Sequence, residues 1–154
     1  MTPEQRRVAD AIASGPRGSI RGPFKALLHS PELADRVQKL GEYIRFQSVL
    51  PRRLNELAIL VTARRWTAQF DWYVHHRLAM EAGLDPAIAA AIRRGEWPED
   101  VSEDEVAVHD FAHQLVHTGE VDDARFDAVV ARFGEQGAVD LIAACGYYSL
   151  CRSC

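Results

Sequence analysis

Glu56, Asp71 and His75 are the residues whose types and spacing point to chemistry. Asp71 and His75 stand four apart in "TAQFDWYVHH", residues 67–76. Wound as a helix, that spacing puts both on one face, one turn apart and within side-chain reach. Imidazole gains and loses a proton near neutral pH, and a neighbouring carboxylate fixes which ring nitrogen carries it. Glu56 sits in "LNELAILVTA" and shares a helical face with Ile59, Leu60 and Ala63. A carboxylate on such a face is costly to bury without a partner. If the two segments pack as an antiparallel hairpin, Glu56 approaches the face of Asp71 and His75. Three titratable groups around one small-residue space is the pattern of general acid–base catalysis. The same residues also admit a structural reading. A buried Asp–His pair can serve packing alone, and Glu56 has Arg52 one turn before it as another partner.

These side chains need helices to hold them, and the pattern is helical nearly throughout. Thr2, Pro3 and Gln5 form a helix start. "GPRGSIRGP" (15–23) is the clearest loop, and "SPEL" opens a second long helix with Leu33, Val37, Leu40 and Ile44 at helical spacing. "PRRLNELAILVTARRW" follows from Pro51. The stretch from about Thr67 to Ala82 stops at Gly83, and "DPAIAAAIRRG" is a short helix ended by Gly95. Ser102 and Glu105 make a capping box for a helix reaching about Thr118. Two more helices cover roughly 123–133 and 135–150. The 67–82 segment gathers Ala68, Asp71, Trp72, His75, Leu78, Ala79 and Ala82 on one face. Its other side mixes polar residues with Phe70, Tyr73, Val74 and Met80. A helix apolar nearly all round is expected to be covered on several sides.

At 154 residues the chain is expected to form one domain with a real core. It is 47% hydrophobic and 26% charged, with 18 basic against 22 acidic residues and a net charge of -4. That balance argues against nucleic acid as a partner. No apolar run approaches the roughly 20 residues that span a bilayer, and the N-terminal stretch lacks the apolar core of a signal peptide. The expectation is a cytoplasmic protein with no membrane partner. An odd count of three cysteines does not suggest a disulfide framework.

"ELAILVTARRWTAQFDWYVHHRLAMEAGL", with "AVHDFAHQLVHTGEV" and "FGEQGAVDLIAACGYYSL", resembles the carboxymuconolactone decarboxylase family. The resemblance implies an all-α, alkylhydroperoxidase D-like fold and a homo-oligomer, with neither organic cofactor nor metal. The peroxidase branch of that family carries a Glu, a CxxC pair and a His. Carried onto this chain, the Glu is Glu56, the His is His75, and the cysteine positions fall on Ala68 and Asp71. Neither is a thiol, so dithiol peroxide reduction has no sulfur at this strip. The decarboxylase branch has an acidic residue four before the histidine, here Asp71. The implied function is a decarboxylase-like enzyme acting on a small carboxylated lactone or related acid. His75 would shuttle the proton, Asp71 would orient it, and Glu56 would be a second acid–base group. Arg64 or Arg65 would hold a substrate carboxylate. The rival readings are a peroxidase-type antioxidant protein and a non-catalytic oligomer of the same fold.

Other residues imitate sites. His109, His113 and His117 recur every four residues on one helix, a spacing that can chelate Zn²⁺. No Cys or Glu completes a metal motif, and the favoured reading is a solvated stripe. "CRSC" (151–154) is a CxxC at the chain end, without a following His, and carries no expected redox role. Cys145, beside Ala143 and Ala144, reads as a small core residue. Family members continue past "GYY" with more apolar helix, so the resemblance implies a C-terminus cut short.

Overall fold

The structure is a computed structural model that describes residues 1–153. Among these residues the protein is all-α, with eight helices and no strand. Helix α1 (Pro3–Ser14) begins at the capping box of Thr2 and Gln5. A loop and the single turn α2 (Phe24–Leu27) lead to α3 (Pro31–Phe46). Helices α4 (Arg52–Trp66) and α5 (Gln69–Glu81) form the hairpin that brings Glu56 to His75. Helix α6 (Pro86–Arg94) ends at Gly95 in the left-handed region, with φ 77°. Helix α7 (Glu103–Thr118) carries the Ser102–Glu105 capping box. Helix α8 (Asp123–Cys151) is broken at Gly134, whose φ of 71° separates the two helices expected from the sequence.

Helix α4 is the centre of the fold. Every residue from Leu54 to Ala63 is buried, because α5, α6, α7 and α8 pack around it. Such a helix must bury polar positions as well, and each requires a partner. Asn55 Nδ2 donates to the Ile44 carbonyl at 2.8 Å, and Thr62 Oγ1 to the Ala58 carbonyl at 2.9 Å. Glu56 finds its partner in His75.

The apolar core has two parts. One joins α4 to α6, α7 and α8 around Leu57, Leu60, Phe111 and Leu141. The other packs α1, α2 and α3 against Ile59 and the last turns of α8, through Ile12, Phe24, Ile44 and Tyr148. Asp140, buried on α8, ties the α3–α4 connection to that helix. It accepts hydrogen bonds from Tyr43 Oη (3.0 Å), Ser48 Oγ (2.9 Å) and the Val49 amide (3.0 Å).

Two sequence expectations need correction. The helix carrying His75 begins at Gln69 rather than Thr67. Thr67 instead closes α4 in the left-handed region (φ 51°), and Ala68 becomes the N-cap of α5. In α3, Val37 and Ile44 are buried, but Leu33 and Leu40 are exposed. The inward face is Ala34, Val37, Gln38, Gly41 and Ile44, since α3 packs on α1 and α8 along the side where small residues allow close approach. Helix α5 is not covered on every side within one chain: Phe70 and Tyr73 are exposed, at 49% and 79%.

Candidate active site

Glu56, Asp71 and His75 are all buried, at 4%, 7% and 4% exposure. His75 Nδ1 lies 2.7 Å from Glu56 Oε2. The edge of His75 meets the Tyr148 ring, with centroids 4.7 Å apart and planes at 79°. Glu56 is the residue that orients the imidazole. Asp71, to which the sequence analysis gave that task, makes no hydrogen bond or ion pair with His75. The reason is packing. The hairpin sets α4 directly behind the buried face of α5, so the glutamate of the neighbouring helix reaches Nδ1. The alternative partner Arg52 turns to Glu81 at 3.8 Å.

With Nδ1 engaged, no hydrogen bond from a described residue reaches His75 Nε2. The imidazole lines a cavity of about 270 Å³ together with Asp71, Tyr147 and Tyr148. Burial pushes the Asp71 carboxyl above the ordinary aspartate range, and attraction to His75 partly opposes this. Asp71 therefore holds a proton more readily than a surface aspartate. Burial also raises the Tyr147 and Tyr148 phenols, which stay protonated donors across the physiological range.

Arginines dominate the cavity wall. Arg17, Arg21, Arg45 and Arg77 line it against the one carboxylate of Asp71. Arg17 arrives from the 15–23 loop, which folds over the start of α5. Gly22 (φ 55°) passes so close to the Phe70 ring that a Cβ there would overlap it. Arg17 Nη2 donates to Tyr147 Oη at 2.9 Å, and its guanidinium lies 4.6 Å from the Phe24 ring centre. Arg17 Nε is buried without a hydrogen-bond acceptor among the described residues. Gly41 makes the arrangement possible, since a Cβ there would overlap both Arg17 Nη2 and the Tyr147 hydroxyl.

Arg64 and Arg65 do not line this cavity. They line a second one with His109, His113 and His117. The cations beside His75 are instead those of the early loop and of α3 and α5. Arg17, Arg45, Tyr147 and Tyr148 are not legible as site residues in the sequence. They come from segments far apart in the chain, and no local spacing joins them. The glycines of "GPRGSIRGP" were the available signal, because a loop rich in them can lie flat on a helix.

The histidine stripe is solvated over two of its three residues. His109 has a side chain only 13% exposed and stacks on Trp97 at 3.7 Å, whereas His113 and His117 are exposed. Among the described residues, no set of three His, Cys, Asp or Glu side chains is placed to hold a metal ion. Cys145 is buried, and its thiol is pushed up to about 11 by burial. Cys151 lines the cavity near His75, while Cys154 lies outside the described residues.

The chain matches no family model, no curated protein and no solved structure. Among the described residues no helix is long and apolar enough to cross a membrane.

Proposed function

We propose that the protein is an acid–base enzyme resembling the carboxymuconolactone decarboxylases, acting on a small carboxylated lactone or related acid. The observation that carries this reading is the buried Glu56–His75 hydrogen bond at 2.7 Å on the wall of an arginine-lined cavity. Glu56 accepts the Nδ1–H hydrogen bond and fixes the orientation of the ring, leaving Nε2 to exchange a proton with a bound molecule. Arg77 is paired with Glu81 at 3.7 Å, and the guanidiniums of Arg17, Arg21 and Arg45 attract an anion; the buried Nε of Arg17 supplies a donor that a carboxylate or carbonyl oxygen would satisfy.

In a decarboxylation the bond to the departing carboxylate breaks, and its electron pair moves towards the lactone carbonyl. Carbon dioxide leaves. The resulting enolate carbon takes a proton from His75, and the ring regains one from water. Negative charge develops on the lactone oxygen, where a fixed guanidinium stabilises it. Arginine paired with the departing carboxylate would oppose its loss as a neutral gas. The arginines therefore belong at the part of the substrate that stays. Asp71, with its raised pKa, is placed on the same wall to hold a second proton.

The reading includes a homo-oligomer, supported by the exposure of Phe70 and Tyr73 beside the cavity mouth. The direct test is turnover of small carboxylated lactones, followed by carbon dioxide release. Wild type should turn over at least one of them and His75→Ala should not. Equal release by both proteins would remove the proposal.

A further inference from the structure

The second cavity, between α4, α6 and α7, has a volume of about 380 Å³, within the range of small-molecule sites. Its charged lining includes two exposed arginines, Arg64 and Arg65. Arg64 Nε donates to the Arg93 carbonyl at 3.0 Å, and Arg65 Nε to the Val116 carbonyl at 3.3 Å. Each guanidinium is thus held at one edge by backbone, while its Nη groups remain available. Neither forms an ion pair with a described carboxylate. Glu96, the one acidic residue of the lining, is paired with Arg94 at 2.8 Å.

The opposite wall is a column of flat rings. Trp97 stacks on His109 at 3.7 Å, His109 on His113 at 5.5 Å, and His113 on His117 at 4.0 Å. Two rings of the column are anchored. His109 Nδ1 lies 2.9 Å from Asp110 Oδ1, and His117 Nδ1 donates to the His113 carbonyl at 2.8 Å. Parallel rings do not turn their nitrogens towards one point, which is why three histidines here make no metal site. They line the space with their edges, since their faces are turned to one another. Two fixed guanidiniums opposite imidazoles form a receptor for paired negative charge, because each arginine offers donors in a fork that fits carboxylate or phosphate oxygens.

We infer that the cavity lined by Arg64, Arg65, Trp97, His113 and His117 is a second binding site, for a small organic dianion such as a phosphomonoester or dicarboxylate. The cavity is too large for the charged group alone, and Trp97 and Ile92 supply an apolar surface for the rest of the ligand. The inference is independent of the acid–base reading, since no residue lines both cavities.

The test is an NMR titration at neutral pH with glycerol 2-phosphate and with succinate, following the imidazole signals of His113 and His117 and the indole signal of Trp97. Sulfate, a dianion without an organic body, is the comparison probe. At least one organic dianion should shift all three signals saturably and bind more tightly than sulfate. The double variant Arg64→Gln, Arg65→Gln should weaken that binding by on the order of tenfold or more. Arg17→Gln, which alters only the other cavity, should leave it unchanged. The inference is overturned if neither organic probe moves these signals, if sulfate binds as well as both, or if the double variant binds like wild type. Circular dichroism of the variants confirms that each retains its helices.

Discussion

His75 Nδ1 and Glu56 Oε2 meet at 2.7 Å across the α4–α5 hairpin, with both side chains almost wholly buried. A buried polar pair of this kind ties stability and chemistry to one hydrogen bond, and two substitutions separate them. Glu56→Ala leaves the ring nitrogen without its partner and should cost about 1–3 kcal/mol of stability, read by urea denaturation. Glu56→Gln nearly keeps the shape and replaces the carboxylate that faces Nδ1 with an amide. On the acid–base reading it should retain most of the stability and lose roughly 10²–10⁴-fold in turnover. An Ala variant as stable as wild type would mean that the bond contributes nothing to folding. A fully active Gln variant would remove Glu56 from the mechanism.

Asp71 is buried without a hydrogen-bond partner among the described residues, and burial holds its pKa above the ordinary aspartate value. The sign for stability follows by linkage. The folded state binds this proton more tightly than the unfolded chain, so the contribution of Asp71 is fully present below the unfolded pKa. It is lost as pH rises through the folded one. At neutral pH, where the unfolded chain ionises Asp71 freely, this linkage works against folding. Asp71→Asn should raise the melting temperature at neutral pH and give no such gain in acid below the ordinary aspartate range. Equal shifts at both pH values would show that the effect is not one of ionisation. In His75→Gln the opposing attraction disappears, and the Asp71 carboxyl should titrate at still higher pH, measurable by carbon-detected NMR.

Much of this architecture is legible in the sequence because it rests on local rules. The capping boxes at Thr2 and Ser102, the left-handed Gly95 and the break at Gly134 are set by residues within a few positions of each other. Burial of Glu56 follows from the apolar run around it, and its approach to the 71–75 face follows from a hairpin. What local rules do not contain is which of two carboxylates wins Nδ1. Asp71 is nearer in sequence, but Glu56 faces the ring from the helix behind. Nor do they contain the path of residues 15–23, whose arginines define the cavity only after the loop crosses α5. Leu33 and Leu40 have the periodicity of a core stripe and lie outside the core. The smaller Gly41 and Ala34 allow the neighbouring helices closer, and packing decided against size.

The exposed aromatics of α5 bear on assembly. Phe70 is 49% and Tyr73 is 79% exposed, and both line the mouth of the cavity near His75. Along α8, Val139 and Ile142 are also exposed, at 61% and 43%. Exposed apolar side chains gathered on few elements favour contact between copies. Light scattering at micromolar concentration should give a mass of at least two chains. Replacing Phe70 and Tyr73 by Ser together should shift the mass towards one chain while the helical content is kept. A wild-type mass of one chain would refute self-association.

Gly41 offers a test of how the arginine cavity is built. Within α3 an alanine is favoured over glycine by about 0.8–1.0 kcal/mol from helix propensity alone. Here its Cβ would overlap Arg17 Nη2 and the Tyr147 hydroxyl, and it would press on the ring carbon that bears that hydroxyl. Arg17 can yield, but Tyr147 is buried and its ring packs edge-on against Tyr148 at 5.0 Å. Overpacking of this kind costs about 1–3 kcal/mol, so the steric effect outweighs propensity and Gly41→Ala should be less stable than wild type in urea. The displacement acts on Arg17, which is proposed to hold substrate, and not on His75. The kinetic signature should therefore be a raised KM with a smaller change in kcat, shared by Arg17→Gln, which leaves Gly41 intact. A Gly41→Ala protein more stable than wild type would mean that propensity dominates and that the close approach of Arg17 and Tyr147 to α3 is not a constraint. An unchanged KM in both variants would take Arg17 out of substrate binding.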